Sequence, residues 1–483
     1  MAKKVLTGVL ALVLFIPFLL ACSRPQATPT PTPAPIDTPS PTPAPTDTPS
    51  LDADHSPRPP APTSTPEPTP TQDAAKPLEI AERGLLLLDH AMYRDGDGRA
   101  RIIGQVYYGG PVDGDEANVS YVTIQASLYG QDERLLGEKS TYAIAAILRP
   151  GDRSPFSLTI LDPPAGLDTF KLQVTGEQTG QEPATGLEIA QHVDWLDDGG
   201  NWTAIGEVIN NGDQAASWVQ VAATLYDASG NIANVGSASV ERTVVQPGSI
   251  SPFEVFIGDV NRTPARHELA VFGEPASESL LVGQAELEMQ STHFDDLVLV
   301  GEARNAGAAP VDFARVVASF YDTNDRLVAV EWGYVWHDTM GPGAVSPFKI
   351  DLQRYGNAVR DRVDHWVAWV EGAKRKDGER TGQQSHLVLE GVDAAISGEG
   401  TGIRTAAFTG TVKNEGPQAM EAIQVAVTAY DAAGEVIAVD GAYLAGDLAA
   451  GAAMPFTFEV RAPESTARFQ LYVQGQPASG AGN

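Results

Sequence analysis

Val219-Gln220-Val221-Ala222-Ala223-Thr224-Leu225-Tyr226-Asp227 is the stretch whose pattern decides the fold. Val219, Val221, Ala223 and Leu225 form an apolar column, and Gln220 and Thr224 fall between them, the period of two expected of a half-buried β-strand. The column recurs as Ala314, Val316, Ala318 and Phe320, and again as Ile423, Val425, Val427 and Ala429. Arg315 and Ser319, or Gln424 and Thr428, then take the alternate positions, which parity assigns to the solvent face. A Tyr-Asp pair closes each strand, at Tyr226-Asp227, Tyr321-Asp322 and Tyr430-Asp431.

Working outward, the same landmarks flank each copy. A Gly-x-(Val/Ala)-x-Asn-x-Gly run precedes it, at Gly206 to Gly212, Gly301 to Gly307 and Gly410 to Gly416, and a Pro-Phe pair follows, at Pro252-Phe253, Pro347-Phe348 and Pro455-Phe456. An earlier, diverged copy holds Gly104-Gln105-Val106, Leu128-Tyr129-Gly130 and Pro155-Phe156. Each copy ends on another alternation, such as Phe170, Leu172 and Val174. Turn chemistry separates the runs: Asn210 and Asn414 suit a left-handed φ, and Asp227-Ala228-Ser229-Gly230 suits a hairpin. Helical periodicity is nearly absent. The expectation is an all-β chain of four tandem immunoglobulin-like β-sandwich domains, at 77–177, 183–275, 280–373 and 384–476.

The residues support a family comparison. The chain resembles bacterial lipoproteins built from FxLYD-type domains, on Thr224-Leu225-Tyr226-Asp227 with Pro247-Gly248 and Ser251-Pro252-Phe253, and on Ser319-Phe320-Tyr321-Asp322 with Gly341-Pro342-Gly343 and Ser346-Pro347-Phe348. The fourth copy has Ala429-Tyr430-Asp431 and Met454-Pro455-Phe456. The first departs from the pattern, with Gly130 in place of the Asp and Tyr108 in place of the Asn. The resemblance implies an immunoglobulin-like fold and names neither a reaction nor a ligand.

A different composition occupies the N-terminal part. Lys3-Lys4, an apolar run from Val5 to Leu20, and Leu19-Leu20-Ala21-Cys22 have the parts of a secretory signal over 1–21. Its end resembles a bacterial lipobox, which implies lipidation of Cys22, the single cysteine of the chain, and a membrane-anchored, extracytoplasmic protein. Residues 22–76 are Pro/Thr-rich, and 18 of the 36 prolines lie between Pro25 and Pro77. Proline fixes φ and removes the amide donor, so the expectation is a disordered, extended linker reaching on the order of 160 Å.

Charge and motifs narrow the function. The formal charge of -30 over 483 residues argues against nucleic acid as a partner. No nucleophile elbow, His-Glu-x-x-His pair, phosphate loop or dinucleotide fingerprint is present, so the chain reads as a non-enzyme without cofactor or metal. Asp95-Gly96-Asp97-Gly98 and Asp113-Gly114-Asp115-Glu116 resemble calcium loops but lack the later ligands, and read as turns. His267 and His365 align with Phe170 and Phe469 and read as packing residues.

One feature is specific to a single module. Trp332, Tyr334 and Trp336 alternate with Gly333 and Val335, which align with the apolar column of the other copies, so parity places all three aromatics outward. They are the candidate ligand-binding row, for a protein or glycan. Cross-strand packing with Trp366 and a fixed joint between modules are the competing readings. The sequence thus supports a multivalent binding or scaffold protein on a Pro-rich stalk. The alternatives are a polysaccharide- or cell-wall-binding accessory to an extracytoplasmic enzyme, or an uncatalogued hydrolase.

Overall fold

The computed structural model describes residues 13–14, 79–80, 84–110, 117–375, 386–398 and 404–478. Cys22, the Pro/Thr-rich segment and Asp113 to Glu116 lie outside the described residues. Four β-sandwiches follow one another, over 85–179, 187–275, 287–374 and 387–477.

Module 2 shows the plan. Its first strand, Leu187–Leu196, pairs with the second, Trp202–Asn210, which pairs with the sixth, Ile250–Ile257. The opposite sheet centres on the third strand, Ala216–Tyr226, flanked by the fourth, Ile232–Ser239, and the seventh, Arg266–Pro275. The two-residue fifth strand, Val244–Val245, pairs with the start of the third. All pairings are antiparallel, and the alternating column Val219, Val221, Ala223 and Leu225 is buried between the sheets. Module 3 repeats this order, module 1 adds the two-residue strand Glu79–Ile80 outside its first strand, and module 4 reduces the fifth strand to a single bridge between Met420 and Leu448.

The sequence landmarks have physical reasons. Gly206 lies opposite Phe253, and a Cβ added at Gly206 would come within 2.4 Å of the Phe253 ring; Gly104, Gly301 and Gly410 meet Phe156, Phe348 and Phe456 in the same way. Glycine is therefore what lets the Pro-Phe ring lie flat in the core. Asn210 is fully buried; its amide donates to the carbonyls of Gln214 and Val245, and its oxygen accepts from Gly212 N. Asn305 and Asn414 repeat that clamp. These asparagines serve as internal clamps at strand ends, and neither Asn210 nor Asn414 takes the left-handed φ expected from turn chemistry. The Asp after each Tyr closes the hairpin by accepting from two backbone amides, as Asp227 Oδ1 does from Ser229 and Asn231.

Successive modules are joined by one repeated contact. The hairpin of third and fourth strands in one module packs on the outer face of the sheet of first, second and sixth strands in the module before it. Tyr226, Ile232 and Val235 pack on Ile103; Tyr321, Leu327 and Val330 pack on Ile205; Tyr430, Val436 and Val439 pack on Val300. A hydrogen bond between side chains pins each joint. Gln105 donates to the Tyr226 hydroxyl at 2.8 Å, the Tyr321 hydroxyl donates to the buried Glu207 at 2.6 Å, and the Tyr430 hydroxyl donates to Glu302. Burial is the first cause that raises all three tyrosine pKa values, so the hydroxyls keep their protons.

This joint corrects the assignment of the alternate column to solvent. Thr224, Ser319 and Thr428 are buried, because the preceding module covers the face that a lone sandwich would leave open. Module 1 shows the uncovered case: Gln125 is exposed and Ser127 half-buried, and at the hairpin Leu135 and Glu138 are exposed. At the other end, module 4 has exposed Thr409 where the other modules have Ile103, Ile205 or Val300, and Thr411 where they have Gln105, Glu207 or Glu302.

Candidate functional site: exposed aromatic patches

The predicted aromatic row divides. Trp332 and Tyr334 lie on the fourth strand of module 3, Leu327–Tyr334, and face outward, with Tyr334 56% exposed. The strand ends at Tyr334, and Trp336 turns away: its amide donates to Pro347 O, and its ring packs in the joint with Tyr430, Val436 and Val439, against Gly441. Trp336 is therefore a joint residue, against the outward position that parity gave it. Trp366 takes no part in the row; it lies between the sheets, 5.7 Å from Phe294.

A third aromatic completes the patch. Phe313 is 62% exposed and meets the edge of Tyr334 at 6.5 Å, while Tyr334 meets Trp332 at 5.4 Å. Phe313 stands on a β-bulge of the third strand, where Phe313 and Ala314 together lie between ladder pairs Asp312 with Ala373 and Arg315 with Glu371. Two residues thus oppose Gly372 alone. Ala314 turns into the core, and Phe313 is thrown out with φ at 48°.

The bulge recurs in every module. Tyr121 and Val122 oppose Gly176, Trp218 and Val219 oppose Gly273, and Ala422 and Ile423 oppose Gly475. The first residue of each pair has φ between 49° and 52°. Left-handed backbone is costly for an aromatic side chain, yet Tyr121 and Trp218 hold it while 66% and 69% exposed. Beside the bulge, on the fourth strand, stand Tyr142, Ser239, Tyr334 and Tyr443 at one register. Each module consequently exposes at least one aromatic at the same place: Tyr121 with Tyr142, Trp218, Phe313 with Tyr334, and Tyr443. The signal was in the sequence as a lone Gly near the end of each seventh strand, which marks a bulge opposite, but alternation alone cannot locate it.

No family model and no curated protein matches this chain. Among solved structures it is similar to the native conformation of E. coli alpha-2-macroglobulin, at a TM-score of 0.11 and 10% identity, over 82% of this chain and 29% of that one. The chain spans less than a third of that protein's length, and the likeness carries no functional argument.

Several other polar features are structural. The Asp95 carboxylate accepts from Arg99 Nε at 2.7 Å and Arg101 Nε at 3.0 Å, and also closes its own turn, which occupies it as an ion-pair acceptor. Between modules 2 and 3, Arg354 makes a two-pronged contact with Glu254 at 2.8 and 2.6 Å, and Arg315 bridges Glu241 and Glu371. An open cleft of about 660 Å³ separates modules 1 and 2, bordered by Arg99, Arg101, Tyr142, Asn201, Phe256 and Asp259. Trp366, and not His365, occupies the position of Phe170 and Phe469, opposite Phe320; His365 is one residue earlier and stacks on Tyr321 at 5.1 Å. Among the described residues no helix is long and apolar enough to cross a membrane.

Proposed function

We propose that the chain is a non-catalytic, lipid-anchored lipoprotein of FxLYD type that binds a neutral, repeating polysaccharide through one aromatic patch per module. The observation that supports this most is the recurrence of solvent-facing aromatics at two neighbouring positions, the bulge and the fourth strand beside it, at least one of them filled in all four modules, and three modules bear an aromatic in a costly left-handed backbone. Flat aromatic faces suit the C–H faces of sugar rings, and the acidic surface disfavours anionic polymers. Several weak patches on one chain add through effective concentration, so a polymer that presents its unit repeatedly is the ligand that gains.

The test uses full-length protein carrying Cys22→Ala, which lacks the proposed lipid attachment point. Binding to neutral glucans and to peptidoglycan is measured by co-sedimentation, for this protein and for variants with Trp218→Ala, Tyr443→Ala and both. The expected outcome is stepwise weakening, about tenfold for each patch lost, on the scale of a single stacking contact. Undiminished binding in the double variant overturns the reading.

A further inference from the structure

We propose a divalent transition-metal site in module 2, formed by His192, Asp194 and His267. His192 and Asp194 are alternate residues of the first strand, Leu187–Leu196, and His267 is on the seventh, Arg266–Pro275. These strands are edges of opposite sheets, so the three side chains meet across the open side of the sandwich. His192 Nε2 is 3.1 Å from His267 Nε2, and one ligand atom from each of the three residues lies within 4.8 Å of the others. Two zinc–nitrogen bonds at a tetrahedral angle hold their nitrogens about 3.3 Å apart, so the imidazole pair has close to the required spacing. Trp202 Nε1 donates to Asp194 Oδ2 at 3.2 Å, the outer support that orients a metal-binding carboxylate.

Comparison among the modules makes this more than a chance meeting of polar groups. The ladder register places His192, Asp194 and His267 level with His90, Met92 and Phe170 in module 1, and with Thr292, Phe294 and Trp366 in module 3. Module 4 has Val392, Ala394 and Phe469, which pack with its core. Module 4 plugs this edge with apolar side chains alone, module 3 with Phe294 and Trp366 beside Thr292, and module 1 with Met92 and Phe170 beside His90. Module 2 shares its first imidazole with His90 of module 1 but alone adds a carboxylate and a second imidazole, which completes a set of two imidazoles and a carboxylate, as bound by zinc with one coordination position left open. Two of the three are exposed, so an ion has access from solvent.

Metal-stripped, untagged full-length protein titrated with Zn²⁺ by calorimetry is expected to bind one equivalent with micromolar or tighter affinity. Bound Zn²⁺ should raise its melting temperature. The variant His192→Val, Asp194→Ala, His267→Phe installs the plug of module 4; it should fold and lose that equivalent together with the thermal shift. Asp194→Asn, a milder change, should weaken binding by about tenfold or more. Co²⁺ absorption gives a readout of nitrogen and oxygen ligation that does not depend on the variants. Absence of the equivalent in the wild type, or its survival in the folded triple variant, overturns the proposal. If the triple variant does not fold, unchanged affinity in Asp194→Asn with no tetrahedral Co²⁺ spectrum in the wild type does so.

Discussion

Trp332 and Trp336 are four residues apart and have opposite situations, which a pair of substitutions should separate. Trp332 is partly solvated, with the Arg315 guanidinium 5.5 Å from its ring, so Trp332→Ala should cost about 1 kcal/mol or less. Trp336→Ala opens the joint to module 4 and should cost about 2 kcal/mol or more, below the full price of a buried Trp because its ring is only half-buried. Denaturant melts of 280–476 beside 280–373 check this: the Trp336 penalty should shrink when module 4 is absent, and equal penalties in both would refute the assignment. Parity read Trp332 and Tyr334 correctly because both lie within a regular strand. It failed at Trp336 because the strand stops and a neighbouring module supplies the surface. The histidines show the same limit, since His192 and His267 are brought together by two sheets that no local pattern connects.

At the scale of the element, strands and their landmarks were legible because period-two alternation reports burial between the sheets of one sandwich. Burial between sandwiches left no such period. The Tyr of each Tyr-Asp pair looked like the end of a strand, yet Tyr226, Tyr321 and Tyr430 are the residues by which hairpins grip the preceding sheet. Tyr321→Phe leaves the Glu207 carboxylate, buried and otherwise held by Gln191 Nε2 at 2.9 Å, without its hydroxyl donor. The expected loss is about 1.5–3 kcal/mol in a fragment spanning modules 2 and 3, and near zero in module 3 alone. His337 makes part of the next joint's stability acid-sensitive. Burial pushes the His337 imidazole, edge-on to Tyr472 at 5.2 Å, below the ordinary histidine value. The unfolded chain then takes up the proton first, so the contribution is complete above about pH 6.5 and declines as the pH falls below it. His337→Gln should flatten that part of the stability profile of 280–476, and an unchanged slope would count against the assignment.

Across the whole molecule, repeated nearest-neighbour joints make each module's stability depend on its neighbours, as in other linear arrays. The fold class and the four-module plan were legible from internal repetition. The order of packing was not, because each joint surface is a few residues distributed over two modules. That joint is heterologous: hairpin meets sheet. A contact of this kind has a direction, and a molecule with both surfaces active at its ends would polymerise. Thr409 and Thr411 on the last sheet, with Glu138 on the first hairpin, replace the groups that make the internal joints adhere. Restoring them with Thr409→Ile, Thr411→Glu and Glu138→Val should yield head-to-tail oligomers that lengthen with concentration in sedimentation velocity. A triple variant that stays monomeric at all concentrations would contradict this. On this view three polar side chains stand where a self-complementary fibre subunit would carry its adhesive groups.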